Sequence, residues 1–237
     1  MIDFYSPLQN ATIWLGAWLY GYESYDDVSE TLTQLQLRPE DASLFDELAR
    51  LRATVQLSST TPALSVLLSG PAHPLPFGIA ESHADDGVIV IPGESSFLAL
   101  SLSSTTWGWS EHAGHPPAEV YLSPGDADTH LREALNSAAS AIEAELSGPI
   151  PVVNPRLLVG TLTDFYEAPG LPACIPKKSA QLIACADRAT AIVEAVTQRL
   201  GEHSYDHYLL ELSRHIRQAR MAAVSYALAE WGRRVGG

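Results

Sequence analysis

The chain has 237 residues, of which 46% are apolar and 18% charged, and a formal net charge of −14. That profile excludes a disordered chain and fits a globular protein burying roughly 70–75% of its unfolded surface. Residues 1–176 carry 22 acids against 5 bases, and residues 177–237 carry 6 against 9, so most of the chain repels phosphate backbones and nucleic acid is not an expected partner.

In chain order, helices come first. Ser6-Pro7-Leu8-Gln9 reads as a capping box with proline in the first turn, and Leu8, Ala11, Leu15 and Trp18 follow at helical spacing up to Gly21. Trp14 and Leu19 widen the stripe, so this helix is expected to be buried on more than one side. Ser24-Tyr25-Asp26-Asp27 opens a second helix with acids in its first turn. Asp41–Arg52 reads as a third, with Leu44, Phe45, Leu48 and Leu51 facing inward.

The period then changes. Residues 63–69, 87–91, 97–103 and 118–122 are short β-rich runs bounded by turn residues, and Trp107–Ser110 is a possible extension. Helical patterns return over Asp126–Leu146, briefly over Pro155–Phe165, then over Pro176–Leu200 and Ser204–Arg234. The expected fold is α+β: a small antiparallel sheet of about four strands (residues 63–122) packed by N-terminal and C-terminal α-helices. A single domain is expected over 1–237, helical over residues 1–55, sheet-forming over 56–123 and helical again over 124–235.

Chemistry is sparse. Residues 201–215 hold His203, His207 and His215 with Asp206 and Glu211. Tyr205, Leu209, Leu212, Ile216, Ala219 and Ala223 define the apolar side of that helix; His207 and Glu211 point away from it, and His215 lies on its flank. Ser204 as N-cap leaves His203 outside the helix, so no metal site is read from this stretch alone. Arg214, Arg217 and Arg220 fan around the same helix, which argues against an anion site.

The more suggestive segment is Trp107–His115. In extended chain Trp107 and Trp109 share a side, where two indoles can stack a flat ligand, and Glu111, His112 and His115 can move protons or bind a metal. These five are the candidate ligand-binding residues, with His73 and His83 able to fold back toward them. No catalytic residues, metal ligands or cofactor are assigned: G-x-S-x-G, G-x-G-x-x-G and the P-loop pattern are missing, and Ser69, His73, Asp85 and Asp86 supply triad ingredients without a geometry. Cys174 and Cys185 are too few and too widely spaced for a disulfide framework or C-x-x-C chemistry.

The segments GAWLYGYESYDDVSETL, LSVLLSGPAHPLPFGIAESHADDGVIVIPG, YLSPGDADTHLREALNSAASAIEAEL and ATAIVEAV resemble a family of uncharacterised proteins of about this length from high-GC Gram-positive bacteria. Residues 70–77 and the 104–116 stretch depart from that pattern. The resemblance implies a cytoplasmic protein of unknown role, with no functional residues to carry over.

No long apolar run suggests a membrane span, and no Lys or Arg precedes Arg38 as a secretory signal would require. The expectation is therefore a cytoplasmic, non-enzymatic interaction or regulatory protein. It is expected to form a homodimer through helical surfaces, the small residues of 221–231 (MAAVSYALAEW) allowing close packing. The alternative is a small-molecule or metal-assisted hydrolase built around Trp107–His115.

Overall fold

Three serines start the first three helices. The Ser6 hydroxyl accepts from the Gln9 amide (3.2 Å) and opens α1 (Pro7–Leu19), with Pro7 in the first turn where its missing N–H costs nothing. Ser24 and Asp27 form a full capping box at α2 (Tyr25–Gln34), and Ser43 caps α3 (Leu44–Thr54). At the far end of α1, Gly21 takes φ +79°, while Tyr22 N–H donates to Ala17 O (2.8 Å) and Gly21 N–H to Trp18 O (3.0 Å). This is a Schellman stop. α2 ends the same way, but with Gln36 at φ +57° where a glycine would be expected.

The structure, a computed structural model, describes residues 5–70, 74–75, 79, 87–116, 122–145, 170–200 and 206–235. The expected short helix at Pro155–Phe165 and most of the 118–122 strand lie outside these residues. The remaining elements are β1 (Ser65–Leu68), β2 (Gly87–Pro92), β3 (Ser96–Ser101), β4 (Gly108–Ala113), α4 (Pro124–Glu145), α5 (Lys177–Leu200) and α6 (Asp206–Val235). The fold is α+β, as expected, with four antiparallel strands in the order β1-β2-β3-β4.

Alternation assigns the two faces of this meander. Val66, Leu68, Ile89, Ile91 and Leu100 join the main core with the helices. Leu67, Val88, Val90, Phe97 and Ala99 form a second, smaller cluster with Ile79, and Leu75 packs against it. The fourth strand is therefore Gly108–Ala113, paired with β3 from Ser101↔Gly108 to Ser96↔Ala113.

At 30 residues, α6 is the longest helix described, spanning about 45 Å. It packs against α1, α4, α5 and β1. Met221, Ala222, Ala223, Val224, Ala227, Leu228 and Trp231 are all buried inside the protomer. The alanines of 221–231 expected to let two copies approach are largely covered within one chain, and at the α1–α6 contact Gly16 lies so close to Leu228 that a methyl group there would collide with its side chain. Another expectation is corrected at α3, where Leu44, Leu48 and Leu51 are buried but Phe45, about 100° around the helix from Leu44, is 64% exposed.

Candidate functional site

The Trp107–His115 segment is the end and edge of the sheet, and the pleat divides it. Trp107, just ahead of β4, is buried and donates its indole N–H to Leu37 O (2.9 Å) beyond α2. Trp109 donates to Glu47 Oε2 (2.7 Å) on α3, and the Arg50 guanidinium lies 4.5 Å above its ring. Both indoles thus reach toward the N-terminal helices, on one side as extended chain requires.

Glu111 shares the face of Trp109, stays exposed, and accepts from Ser96 Oγ (2.8 Å). His112 is on the opposite face, stacked on its cross-strand partner Phe97 (5.1 Å between centroids, 20° between planes), with Nε2 2.7 Å from Ser110 Oγ. His115 is exposed beyond Gly114. The structure brings Trp107, Trp109 and Glu111 to one side and places His112 on the other. His73 and His83 lie outside the described residues.

Two further places gather polar side chains. Inside the helical layer, Arg220 of α6 is 4% exposed. Its guanidinium meets Asp187 Oδ1 on α5 (2.7 Å), Gln9 Oε1 on α1 (3.1 Å) and Thr190 Oγ1 on α5 (3.1 Å). Burial pushes the Asp187 carboxyl up and the Arg220 guanidinium down, and each partner opposes the other's shift. Three acceptors converging on one guanidinium keep this pair ionic and fix α1, α5 and α6 in register.

The second place is a groove of about 350 Å³ between α4 and α6, lined by His130, Glu133 and Ser137 on one wall and Tyr208, Glu211 and His215 on the other. His130 and Glu133 are one turn apart on α4, as Glu211 and His215 are on α6. His215 is half-buried; its Nδ1 is shut off from solvent and has no hydrogen-bond partner. Burial lowers its pKa below the usual imidazole range, Glu211 opposes the shift, and Arg214 and His130 add to it. Among the described residues no group of three or more His, Cys, Asp or Glu side chains could hold a metal ion. Sequence reading finds only the α6 half of this groove. The available signal is the i,i+3 pair His130/Glu133, which has meaning only once α4 is known to lie against α6.

A third hollow, of about 750 Å³, lies at the α2–α3 corner between Tyr25, Arg38, Glu40, Phe45 and Ser104. Its wall is fixed by Glu40 N–H donating to Ser104 O (2.9 Å) and Asp41 N–H to Thr105 O (3.0 Å). Phe45 meets Tyr25 edge-on at 6.1 Å.

An α+β protein with a meander against layered helices is what the fold defines. Residues 125–221, from the first turn of α4 into α6, match the family described as Rv1486c-like protein, C-terminal domain, a span that includes both walls of the α4–α6 groove. The chain is 26% identical over 281 residues to Uncharacterized protein MT1533 of Mycobacterium tuberculosis (strain CDC 1551 / Oshkosh), covering 94% of this chain and 97% of that one. The same identity and coverage hold for Uncharacterized protein Rv1486c of strain ATCC 25618 / H37Rv. The resemblance to uncharacterised proteins of high-GC Gram-positive bacteria is thereby borne out, and it brings no activity with it. No solved structure matches the chain. Among the described residues no helix is long and apolar enough to cross a membrane.

Proposed function

We propose that the protein is a non-enzymatic interaction or regulatory protein of the cytosol that works as a homodimer, joined through the α2–α3 corner. The observation that carries this reading is Phe45, 64% exposed beside a hollow large enough to take an aromatic ring. A two-fold interface must be self-complementary, so a projecting group and a receiving groove have to sit on the same patch. Phe45 is the projection and the Tyr25–Ser104 hollow the receiver. Arg38 and Glu40 stand together on its rim, and a two-fold axis brings the arginine of each copy to the glutamate of the other. A buried aromatic anchor within a polar rim is the usual source of interface energy.

Light scattering after size exclusion tests it. Wild type is expected to run as a dimer and Phe45→Ser as a monomer with unchanged far-ultraviolet circular dichroism. Arg38→Glu should weaken the dimer, and adding Glu40→Arg should restore it. A wild type that stays monomeric up to millimolar concentration sinks the reading.

The alternative, a small-molecule or metal-assisted hydrolase at Trp107–His115, has the exposure of Glu111 and His115 in its favour. Against it stand the committed indole N–H groups and the placement of His112 across the sheet.

A further inference from the structure

The α4–α6 groove holds one imidazole against an apolar seam. Ala138 of α4 and Leu212 of α6 line the groove and are buried, and His215 lines it half-buried. Its Nδ1 is closed to solvent and has no hydrogen-bond partner. A neutral imidazole has one N–H and one lone pair, so it can leave the lone pair in that sealed position and carry its proton on Nε2. An imidazolium has no such choice. Both of its nitrogens are donors, and a charged N–H would be shut away without an acceptor. The ring fits this place in one protonation state only.

The surrounding groups decide where a charged ring would go. Among the described residues α4 presents His130 and Glu133 to the groove, and α6 presents Tyr208 and Glu211, with Arg214 next to the ring in the chain. Arg214 and His130 disfavour a positive ring at this position, and Glu211, one turn back on the same helix, favours it. Glu133 is the carboxylate on the facing wall.

We propose that His215 is a proton-operated catch on the α4–α6 seam: the neutral ring packs it shut, and protonation turns the ring out toward Glu211 and Glu133 and loosens α4 from α6. This joint lies on other helices than the dimer contact at Phe45 and works whether or not that contact forms. Burial holds the ring's pKa below its ordinary value of 6.5, so just below that pH the unfolded chain binds a proton that the folded chain does not. The stability contributed by the catch is therefore full above this window and is lost as pH falls through it. The unfolding equilibrium constant rises by up to about tenfold per pH unit until the folded ring is itself protonated.

Proton NMR of the full chain tests the catch, with the ring signal of His215 assigned by its loss in His215→Gln. That signal is expected to titrate below 6.5, at lower pH still in Glu211→Gln and at higher pH in Arg214→Gln. Hydrogen exchange, corrected for its intrinsic pH dependence, should show α4 amides losing protection as His215 titrates. The same amides should stay protected in His215→Gln, whose side chain is neutral at every pH and whose fold is checked by circular dichroism at neutral pH. If that variant does not fold, the two wild-type readouts and the Glu211 and Arg214 shifts still decide the matter. A His215 titration at or above 6.5, α4 protection indifferent to it, or the same acid response in His215→Gln would overturn the proposal.

Discussion

Arg220 is the residue on which the helical layer depends. A guanidinium taken out of water is tolerated only while its acceptors stay in place, so removing one partner costs more than the pair contributes. Asp187→Asn is expected to lower stability in urea unfolding by about 2–3 kcal/mol, less than for a fully sealed pair because Asp187 remains 31% exposed. The paired Asp187→Leu/Arg220→Met variant should recover much of that loss.

Cys174 obeys the same desolvation rule with a different outcome. Burial, then the neighbouring Glu23 carboxylate, pushes its thiol up to about 11, with Arg234 opposing weakly. At pH 8 only about one molecule in a thousand then carries the thiolate. In a Cys185→Ser background, reaction with Ellman's reagent should be slow at pH 8 and should accelerate about tenfold per pH unit until the titration near 11 is reached.

At the scale of elements, the contrast between Gly21 and Gln36 is instructive. Both close a helix with a left-handed residue, but only glycine adopts that conformation without steric cost. Gln36→Gly should stabilise the protein by about 0.5–1 kcal/mol after allowance for the freer unfolded chain, a Tm rise of about 2 °C. Differential scanning calorimetry decides it, and a lower Tm would mean that the glutamine side chain contributes something its backbone does not reveal.

The caps also explain why most elements are legible in the sequence. Ser6, Ser24 and Ser43 act locally, through an amide three residues on, so their signal lies in the residues themselves. The fourth strand is less legible. GWSEHA alternates Trp109 and Glu111 with Ser110 and His112, so neither side shows an apolar period, because an edge strand needs only one neighbour. Phe45 is misplaced by pattern alone because a run of apolar residues in α3 hides a 100° step between two of them. Of the α4–α6 groove only the α6 half is legible, since the register of two helices so far apart in the chain is set by packing.

Over the whole molecule, the chain's two helical ends are joined. α1 and α6, first and last among the described elements, pack together, and Gly16 meets Leu228 across that seam. One cooperative α+β unit is the reading this arrangement favours. Urea unfolding followed by circular dichroism and by fluorescence should give coincident single transitions. A separate early transition of residues 1–55 would instead mark the N-terminal helices as an independent unit.

Four indole nitrogens reach across long stretches of chain: Trp14 to Gly170, Trp107 to Leu37, Trp109 to Glu47 and Trp231 to Cys174. Each bond closes a different seam between segments that meet only in the finished fold. A chain grown on 5-fluorotryptophan would place one magnetic nucleus at every such seam, letting the assembly of this protein be watched joint by joint.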